Sequence, residues 1–133
     1  MSIGERFREI RRGRNLKQTE FSQAIGISQS ALVSYERGER EPPAAAIASL
    51  CKNFDVSPDW ALLGRGVPYR EDQIALFERS IRLAREHLPK HLESPTIDKE
   101  IEFTKLLYRY LLENGSISAE MAEALGGRRA ANE

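Results

Sequence analysis

A chain of 133 residues is long enough for one ordinary domain, or for a small domain with an appendage. Its composition, 41% hydrophobic and 30% charged, is typical of a globular protein, and no apolar run of about 18 residues could form a membrane span. The single cysteine excludes an internal disulfide and a multi-cysteine zinc site. The net charge of zero hides a modest split, because residues 1–66 hold ten basic and eight acidic side chains, whereas residues 67–133 hold ten and twelve. This split permits a basic face for nucleic acid on the first half.

The first three predicted elements are short helices. The first covers about residues 2–12, with Ser2 as its cap and with Ile3, Phe7 and Ile10 at the spacing of a buried stripe. The second covers about residues 17–25 and the third about residues 28–37. The N-terminal segment lacks the apolar core of a signal peptide, so a cytoplasmic protein is expected.

The turn between the second and third helices is the most informative feature. Gly26 lies where the chain must reverse direction, and glycine reaches positive φ without a steric penalty. Ser28 follows and offers a hydroxyl to the free N–H groups of a new helix. The outward face of that helix is short-chained and uncharged, which suits hydrogen bonding to base edges. The pattern predicts a DNA-binding helix-turn-helix.

Two further helices complete the first domain. Pro42 and Pro43 open a fourth helix, and Ser57 is predicted to cap a fifth, with Pro58 in its first turn. Trp60 is expected to anchor the core. The expected organisation is a five-helix domain over residues 1–66, followed by a linker over residues 67–70 that two glycines and a proline punctuate.

The second half reads as a helical hairpin. One helix starts near residue 71, a loop is bracketed by Pro89 and Pro95, and another helix covers residues 96–114. A short helix capped by Ser118 follows, so the helical region covers residues 71–125 and residues 126–133 form a disordered tail. Two helices leave a broad apolar face uncovered, which must pack on the first domain or on another copy. We expect a homodimer, or a higher oligomer, through an interface that includes Ile74, Phe77, Ile81, Leu88, Ile101, Tyr108 and Leu111.

An ordered series of residues carries a family resemblance over about residues 2–66. The series comprises Phe7, Ile10 and Arg11, then Leu16-Lys17-Gln18, Gly26-Ile27-Ser28, Tyr35-Glu36-Arg37-Gly38 and Pro42, and finally Val56-Ser57-Pro58-Asp59-Trp60 and Leu63-Gly64. It resembles the helix-turn-helix of the Cro and phage-repressor family, also called the xenobiotic-response-element type. The resemblance implies an all-α, lambda-repressor-like domain.

The resemblance and the helix positions assign candidate DNA contacts. The first turns of the third helix would read bases through Gln29, Ser30, Val33 and Ser34, with two hydrogen bonds from Gln29 to an adenine. The resemblance implies that Gln18 contacts a phosphate and that Arg11 pairs with Glu36 as a structural ion pair. Arg37 and Arg40 are expected to neutralise phosphates. Lys17 departs from the family pattern, which has serine or threonine there as a cap, and its charge is a further candidate phosphate contact.

The function predicted is a sequence-specific transcriptional regulator, a repressor that binds a two-fold operator in double-stranded DNA as a dimer. The alternative is a DNA-binding antitoxin, and an antirepressor or a toxin protein is a candidate partner. We expect no enzyme activity, because no phosphate loop, catalytic triad or metal box is present. We also expect no cofactor and no metal, since Pro89 separates His87 from His91 and a third ligand is missing.

Overall fold

The computed structural model describes residues 1–88 and 96–131. The described residues fold into α-helices joined by turns. In chain order these are α1 (Ile3–Gly13), α2 (Gln18–Ile25), α3 (Gln29–Glu36), α4 (Ala44–Phe54), α5 (Pro58–Leu63), α6 (Arg70–His87), α7 (Ile97–Asn114) and α8 (Ala119–Ala131). The chain divides into two compact units, Met1–Arg70 and Glu71–Glu133. The all-α fold class predicted from the sequence is confirmed.

The first unit is held by a core to which all five of its helices contribute. Ser2 caps α1 through a capping box, in which its hydroxyl accepts from the backbone N–H of Glu5 and the Glu5 carboxylate accepts from the backbone N–H of Ser2. Phe7 is fully buried and meets Phe21 and Tyr35 edge to face. Trp60 is buried in the same cluster, as the sequence predicts.

Gly4 lets α1 approach the end of α3 closely. A Cβ atom at Gly4 would overlap the backbone carbonyl of Tyr35. Tyr35 is the penultimate residue of α3 and is itself buried. The absence of a side chain at Gly4 therefore allows the short distance between α1 and the end of α3.

A buried arginine ties α1 to the end of α5. The Arg6 side chain is only 7% exposed, and its guanidinium donates to three backbone carbonyls. The acceptors are Ala61 (2.8 Å from Nε), Met1 (2.7 Å from Nη1) and Leu62 (3.0 Å from Nη2). Two of them are last-turn carbonyls of α5, which lack partners within their own helix. Arg6 satisfies these carbonyls and places a positive charge at the negative end of the helix dipole.

Replacing Arg6 with lysine should destabilise the first unit by about 1–3 kcal/mol, because one ammonium cannot reproduce the planar fork that reaches three carbonyls. Unfolding followed by the fluorescence of Trp60, the single tryptophan and a core residue of this unit, measures the change. Arg12→Lys is the matched control, because Arg12 is an exposed arginine on the same helix. Equal stability of the two variants would show that the three hydrogen bonds contribute little.

The segment expected to be a linker is attached to the first unit. Tyr69 forms an antiparallel bridge with Val56, and the backbone N–H of Ser57 donates to the Pro68 carbonyl at 2.7 Å. The Tyr69 side chain packs against the core of this unit. The guanidinium of Arg14 lies 4.9 Å from the centre of the Tyr69 ring and 5.8 Å from that of Phe54. Residues 68–70 are thus fastened by a backbone pairing and by a cation–π contact.

One predicted side-chain cap is absent from the structure and another is present. The Ser57 side chain makes no cap hydrogen bond, although Pro58 does open α5. Lys17 occupies the cap position of α2, also without a side-chain hydrogen bond. The Ser118 cap of α8 is present, since its hydroxyl accepts from the N–H of Met121 at 3.1 Å.

The second unit is a hairpin of α6 and α7 with α8 against it. Phe77 meets Tyr108 edge to face at 5.7 Å, and Arg85 forms a 3.0 Å ion pair with Glu100. From the first contact to the second, α6 advances by eight residues while α7 goes back by eight. The two helices are therefore antiparallel. The core of the unit contains Ala84, Phe103, Leu107 and Ala122.

A second apolar stripe lies beside this core and faces outward. Ile74, Phe77 and Ile81 of α6 are exposed, as are Ile97 and Ile101 of α7. We call this set, with the partly buried Tyr108, the apolar face. The spacing predicts Leu111 in the interface, and this prediction is wrong, because Leu111 is completely buried inside the hairpin and is not available to a partner. Leu88 is half-buried against the hairpin core.

Helix α8 continues through Ala131, whereas the sequence reading placed a disordered tail from residue 126. Gly126 explains how this helix packs. A Cβ atom there would lie 3.0 Å from the Phe103 ring and 3.2 Å from the His87 carbonyl, so the glycine permits a close approach to α7 and to the end of α6. Residues 132 and 133 lie outside the described residues. Within the described parts of the chain, no helix combines the length and the apolar character needed to cross a membrane.

Candidate DNA-binding site

The turn between α2 and α3 has the geometry that its sequence predicts. Gly26 adopts a left-handed conformation with φ of 72°, and the space around its missing side chain is open. The N–H of Ile27 donates to the Ser22 carbonyl at 3.0 Å, which closes the end of α2. Ser28 then caps α3, since its hydroxyl accepts from the N–H of Ala31 at 3.1 Å. These local interactions fix α3 relative to α2.

The outward face of α3 carries the four candidate base-reading residues. Gln29 and Ser30 are exposed, while Val33 and Ser34 are half-buried. The Ser30 hydroxyl lies 3.3 Å from that of Ser28. The opposite face buries Leu32. The exposed first turn therefore presents an amide and a hydroxyl that both donate and accept hydrogen bonds.

The candidate phosphate contacts lie at two places around this face. Lys17 is exposed at the start of α2, where the backbone N–H groups of residues 18–20 have no partner within the helix. Such a helix start attracts anions. Arg37 and Arg40 are exposed after the end of α3. The Arg40 guanidinium lies 5.5 Å from the centre of the Tyr35 ring, which restrains its position.

Arg11, Gln18 and Glu36 form one buried polar cluster. The Glu36 side chain is 3% exposed, and its two oxygens each accept at 2.7 Å, one from Arg11 Nε and the other from Gln18 Nε2. Arg11 also donates from Nη1 to the Leu16 carbonyl at 3.1 Å. The structure thus contains the Arg11–Glu36 ion pair and adds Gln18 to it. The bond from Gln18 was missed, because no sequence spacing relates residues 18 and 36.

The other polar groups considered among the described residues are Cys51, His87 and the potential metal ligands. Burial raises the pKa of the Cys51 thiol, and the nearby positive charge of Arg70 opposes that rise only in part, so the thiol stays protonated at neutral pH. His87 lies 3.7 Å from the Glu123 carboxylate, and His91 falls outside the described residues. Among the residues that the structure describes, no group of three or more His, Cys, Asp or Glu side chains is arranged to hold a metal ion.

The five-helix unit, its capped recognition helix and the open start of α2 define a DNA-binding helix-turn-helix domain. The helix-turn-helix family model matches residues 7–60. The chain belongs to this Cro/C1-type helix-turn-helix family. No solved structure gives a significant match.

Three relatives that the chain resembles are named as a regulator, a repressor and an antitoxin. The chain is 31% identical over 87 residues to the HTH-type transcriptional regulator DicA of Escherichia coli, a match that covers 62% of this chain and 64% of DicA. It is 34% identical over 62 residues to Repressor protein C2 of Salmonella phage P22 (47% and 29%). It is also 34% identical over 55 residues to the antitoxin PezA of Streptococcus pneumoniae (41% and 35%). The chain spans less than two thirds of the length of each of these three relatives.

Proposed function

We propose that the protein is a transcriptional repressor that binds a two-fold DNA operator as a homodimer. The observation that carries the proposal is the outward face of α3, which is uncharged in its first turn and has cations or open backbone amides on either side. Such a helix suits the major groove, where base edges present donors and acceptors, while phosphates line both rims. The similarity to a regulator and to a phage repressor supports the same function.

The proposed roles follow from position on this surface. Gln29 and Ser30 project from the first turn of α3, the part of a recognition helix that reaches base edges. Val33 and Ser34 lie one turn later, where a methyl group or a hydroxyl would contact the next base pair. At the rims, Lys17, Gln18, Arg37 and Arg40 would bind phosphates, which position the helix without reading sequence.

The apolar face supports the dimer. Ile74 is 62% exposed and Ile97 is 64% exposed, while Phe77, Ile81 and Ile101 add further apolar area on the same side of the hairpin. A contiguous apolar patch of this kind marks a surface that associates. Two hairpins joined through it would form a four-helix bundle, and two-fold symmetry would present two recognition helices to two half-sites.

A mobility-shift titration tests the proposal. The operator is selected from a random DNA pool with the full-length protein, and a scrambled duplex of the same composition is the control. We expect binding that weakens with salt and that prefers the selected duplex by at least about 10³-fold. Equal affinity for both duplexes would contradict sequence-specific regulation.

Replacing Gln29 with alanine should remove the preference for one base pair in each half-site, because a bidentate contact to one base is lost. The binding free energy that separates this base pair from the other three should fall by about 1–3 kcal/mol. Affinities for the four possible base pairs at that position measure the effect. Gln23→Ala is the matched control, since Gln23 is an exposed glutamine on the neighbouring helix α2. A uniform loss across all four base pairs would instead place Gln29 on the phosphate backbone.

The similarity to PezA keeps a DNA-binding antitoxin as the second candidate function. An antitoxin would bind DNA through the same α3, but it would use the second unit chiefly to neutralise a toxin. The two candidates differ in the order of assembly. A purified chain that is a stable dimer without any partner favours the repressor, while a monomer whose apolar face is covered only by a co-expressed toxin favours the antitoxin.

A further inference from the structure

The carboxylate of Glu36 connects three helices at the edge of the candidate DNA-binding surface. Glu36 is the last residue of α3, Arg11 lies in the last turn of α1 and Gln18 opens α2. Each Glu36 oxygen has its own donor at 2.7 Å. The Arg11 bond to the Leu16 carbonyl, just before α2, closes the set into a ring. The start of α2 is therefore fixed to the end of the recognition helix by side chains and not by a cap.

The chemistry of Glu36 decides which end of the Gln18 carboxamide faces inward. An ionised carboxylate only accepts hydrogen bonds, so it binds the NH₂ end of the amide and repels the oxygen end. The Arg11 guanidinium occupies the other oxygen of the same carboxylate at 2.7 Å, so only one oxygen is left for the amide. The buried position strengthens this selection, since water cannot replace either partner. Glu36 thus excludes the flipped amide.

The same bond leaves Gln18 with an unused donor. Nε2 carries two protons, of which Glu36 accepts one. Gln18 is half-buried and is the first residue of α2, so its side chain lies beside the backbone N–H groups that have no partner within that helix. A flipped amide would present its oxygen there, and that oxygen would repel an anion. The observed orientation presents an N–H group there instead, and an N–H group attracts an anion.

We propose that Glu36 is a positioning residue for DNA binding, which orients Gln18 so that the second N–H of its amide donates to a DNA phosphate. The proposal rests on the proposed DNA-binding function and adds a residue that does not itself touch DNA. Because Glu36 ends α3, the same carboxylate also sets the distance between this phosphate contact and the base-reading face. The phosphate contact of Gln18 would therefore depend on the position of α3.

A double-mutant cycle with the full-length protein and its selected operator tests the coupling. Q18M removes the amide at similar volume, and we expect affinity to fall by roughly 3- to 10-fold, the net effect of one hydrogen bond. Q23M, an exposed glutamine on the same helix, should leave affinity unchanged. E36Q should weaken binding in the otherwise unchanged protein but by less than about twofold in the Q18M background. Equal losses from E36Q in both backgrounds would overturn the proposal, because Glu36 would then act only through the fold.

The side-chain amide signals of Gln18 give a readout that a purely structural role would not move. In ¹⁵N-resolved NMR spectra, we expect one Nε2 proton to be hydrogen-bonded before DNA is added and the other to shift when the operator binds. E36Q should abolish that second shift. Operator binding that leaves both Gln18 protons unchanged would overturn the proposal while leaving the DNA-binding function intact. If E36Q does not fold, the NMR titration of the wild-type protein and the comparison of Q18M with Q23M still decide whether the Gln18 amide contacts DNA. A wild-type protein that selects no DNA would refute the proposed function itself.

Discussion

Replacing Ile74 and Ile101 with glutamate is expected to convert the proposed dimer into a folded monomer. Each isoleucine is exposed within one chain, so the hairpin core does not depend on it. In a symmetric dimer the pair of substitutions removes four apolar side chains from the interface, each worth about 1.5–3 kcal/mol, and adds four carboxylates that must be desolvated. We expect dimerisation to weaken by at least about 10³-fold. Sedimentation equilibrium measures this directly.

The same variant should bind the proposed two-fold operator about 10²- to 10⁴-fold more weakly, because the second recognition helix no longer binds intramolecularly. Ala75→Glu with Arg109→Glu is the matched control. Both residues are exposed, and each follows an apolar-face residue, which places it about 100° around its helix from that face. A double variant at Ile74 and Ile101 that stays dimeric would show that another surface holds the two copies together.

Replacing Gly4 with alanine should destabilise the first unit by about 3 kcal/mol or more. The new methyl group would overlap the Tyr35 carbonyl, and a backbone atom cannot rotate away as a side chain can. Either α1 or the end of α3 must move. For a unit of this size, we expect the midpoint of thermal unfolding to fall by more than about 10 °C, as measured by Trp60 fluorescence.

Gly13→Ala is the matched control on the same helix. The nearest atom to a Cβ at Gly13 is the Tyr69 hydroxyl at 4.0 Å, an ordinary contact distance. Alanine should therefore be neutral or stabilising by up to about 1 kcal/mol, because glycine is the poorer helix former. Similar losses from both substitutions would mean that α1 and α3 are not packed as closely as the structure shows.

The features predicted well are those fixed by neighbouring residues. The left-handed turn at Gly26 and the caps at Ser2 and Ser28 depend on bonds that span a few positions, so the residue type alone specifies them. The inward positions of Phe7 and Trp60 follow from helical spacing and size. The five-helix unit was predictable for this reason.

The hairpin shows where periodicity stops being decisive. Helix α6 carries two adjacent apolar stripes, and spacing cannot say which of them turns inward. The structure buries the side with Leu76 and Ala84 and leaves Ile74 and Phe77 outside. On α7, whether Leu111 faces the core depends on which stripe of α6 turns inward. The antiparallel register of the two helices decides this. A single helix does not contain this information.

Apart from the Arg11–Glu36 pair, which the family resemblance implied, the long-range polar contacts could not be predicted from the sequence. Five arginines lie in or just after α1, and nothing in their spacing reveals that Arg6 would bind the end of α5 or that Arg14 would lie between Phe54 and Tyr69. The Arg14 contact fastens residues whose glycines and proline had suggested a linker. Arg6 reaches the carbonyls of Ala61 and Leu62, 55 and 56 residues away, and Arg14 reaches that of Phe54, 40 residues away.

The uncharged outward face of α3 has a consequence for how ionic strength acts on the protein. On the proposed surface, Lys17, Arg37 and Arg40 release counterions from any duplex, whatever its sequence, so salt lowers the affinity for all DNA together. Discrimination between sequences belongs to neutral side chains such as Gln29 and Ser30, whose hydrogen bonds release no ions. The potassium level would thus determine how much of the protein is bound to DNA, while the choice among sites would stay nearly constant as that level varies.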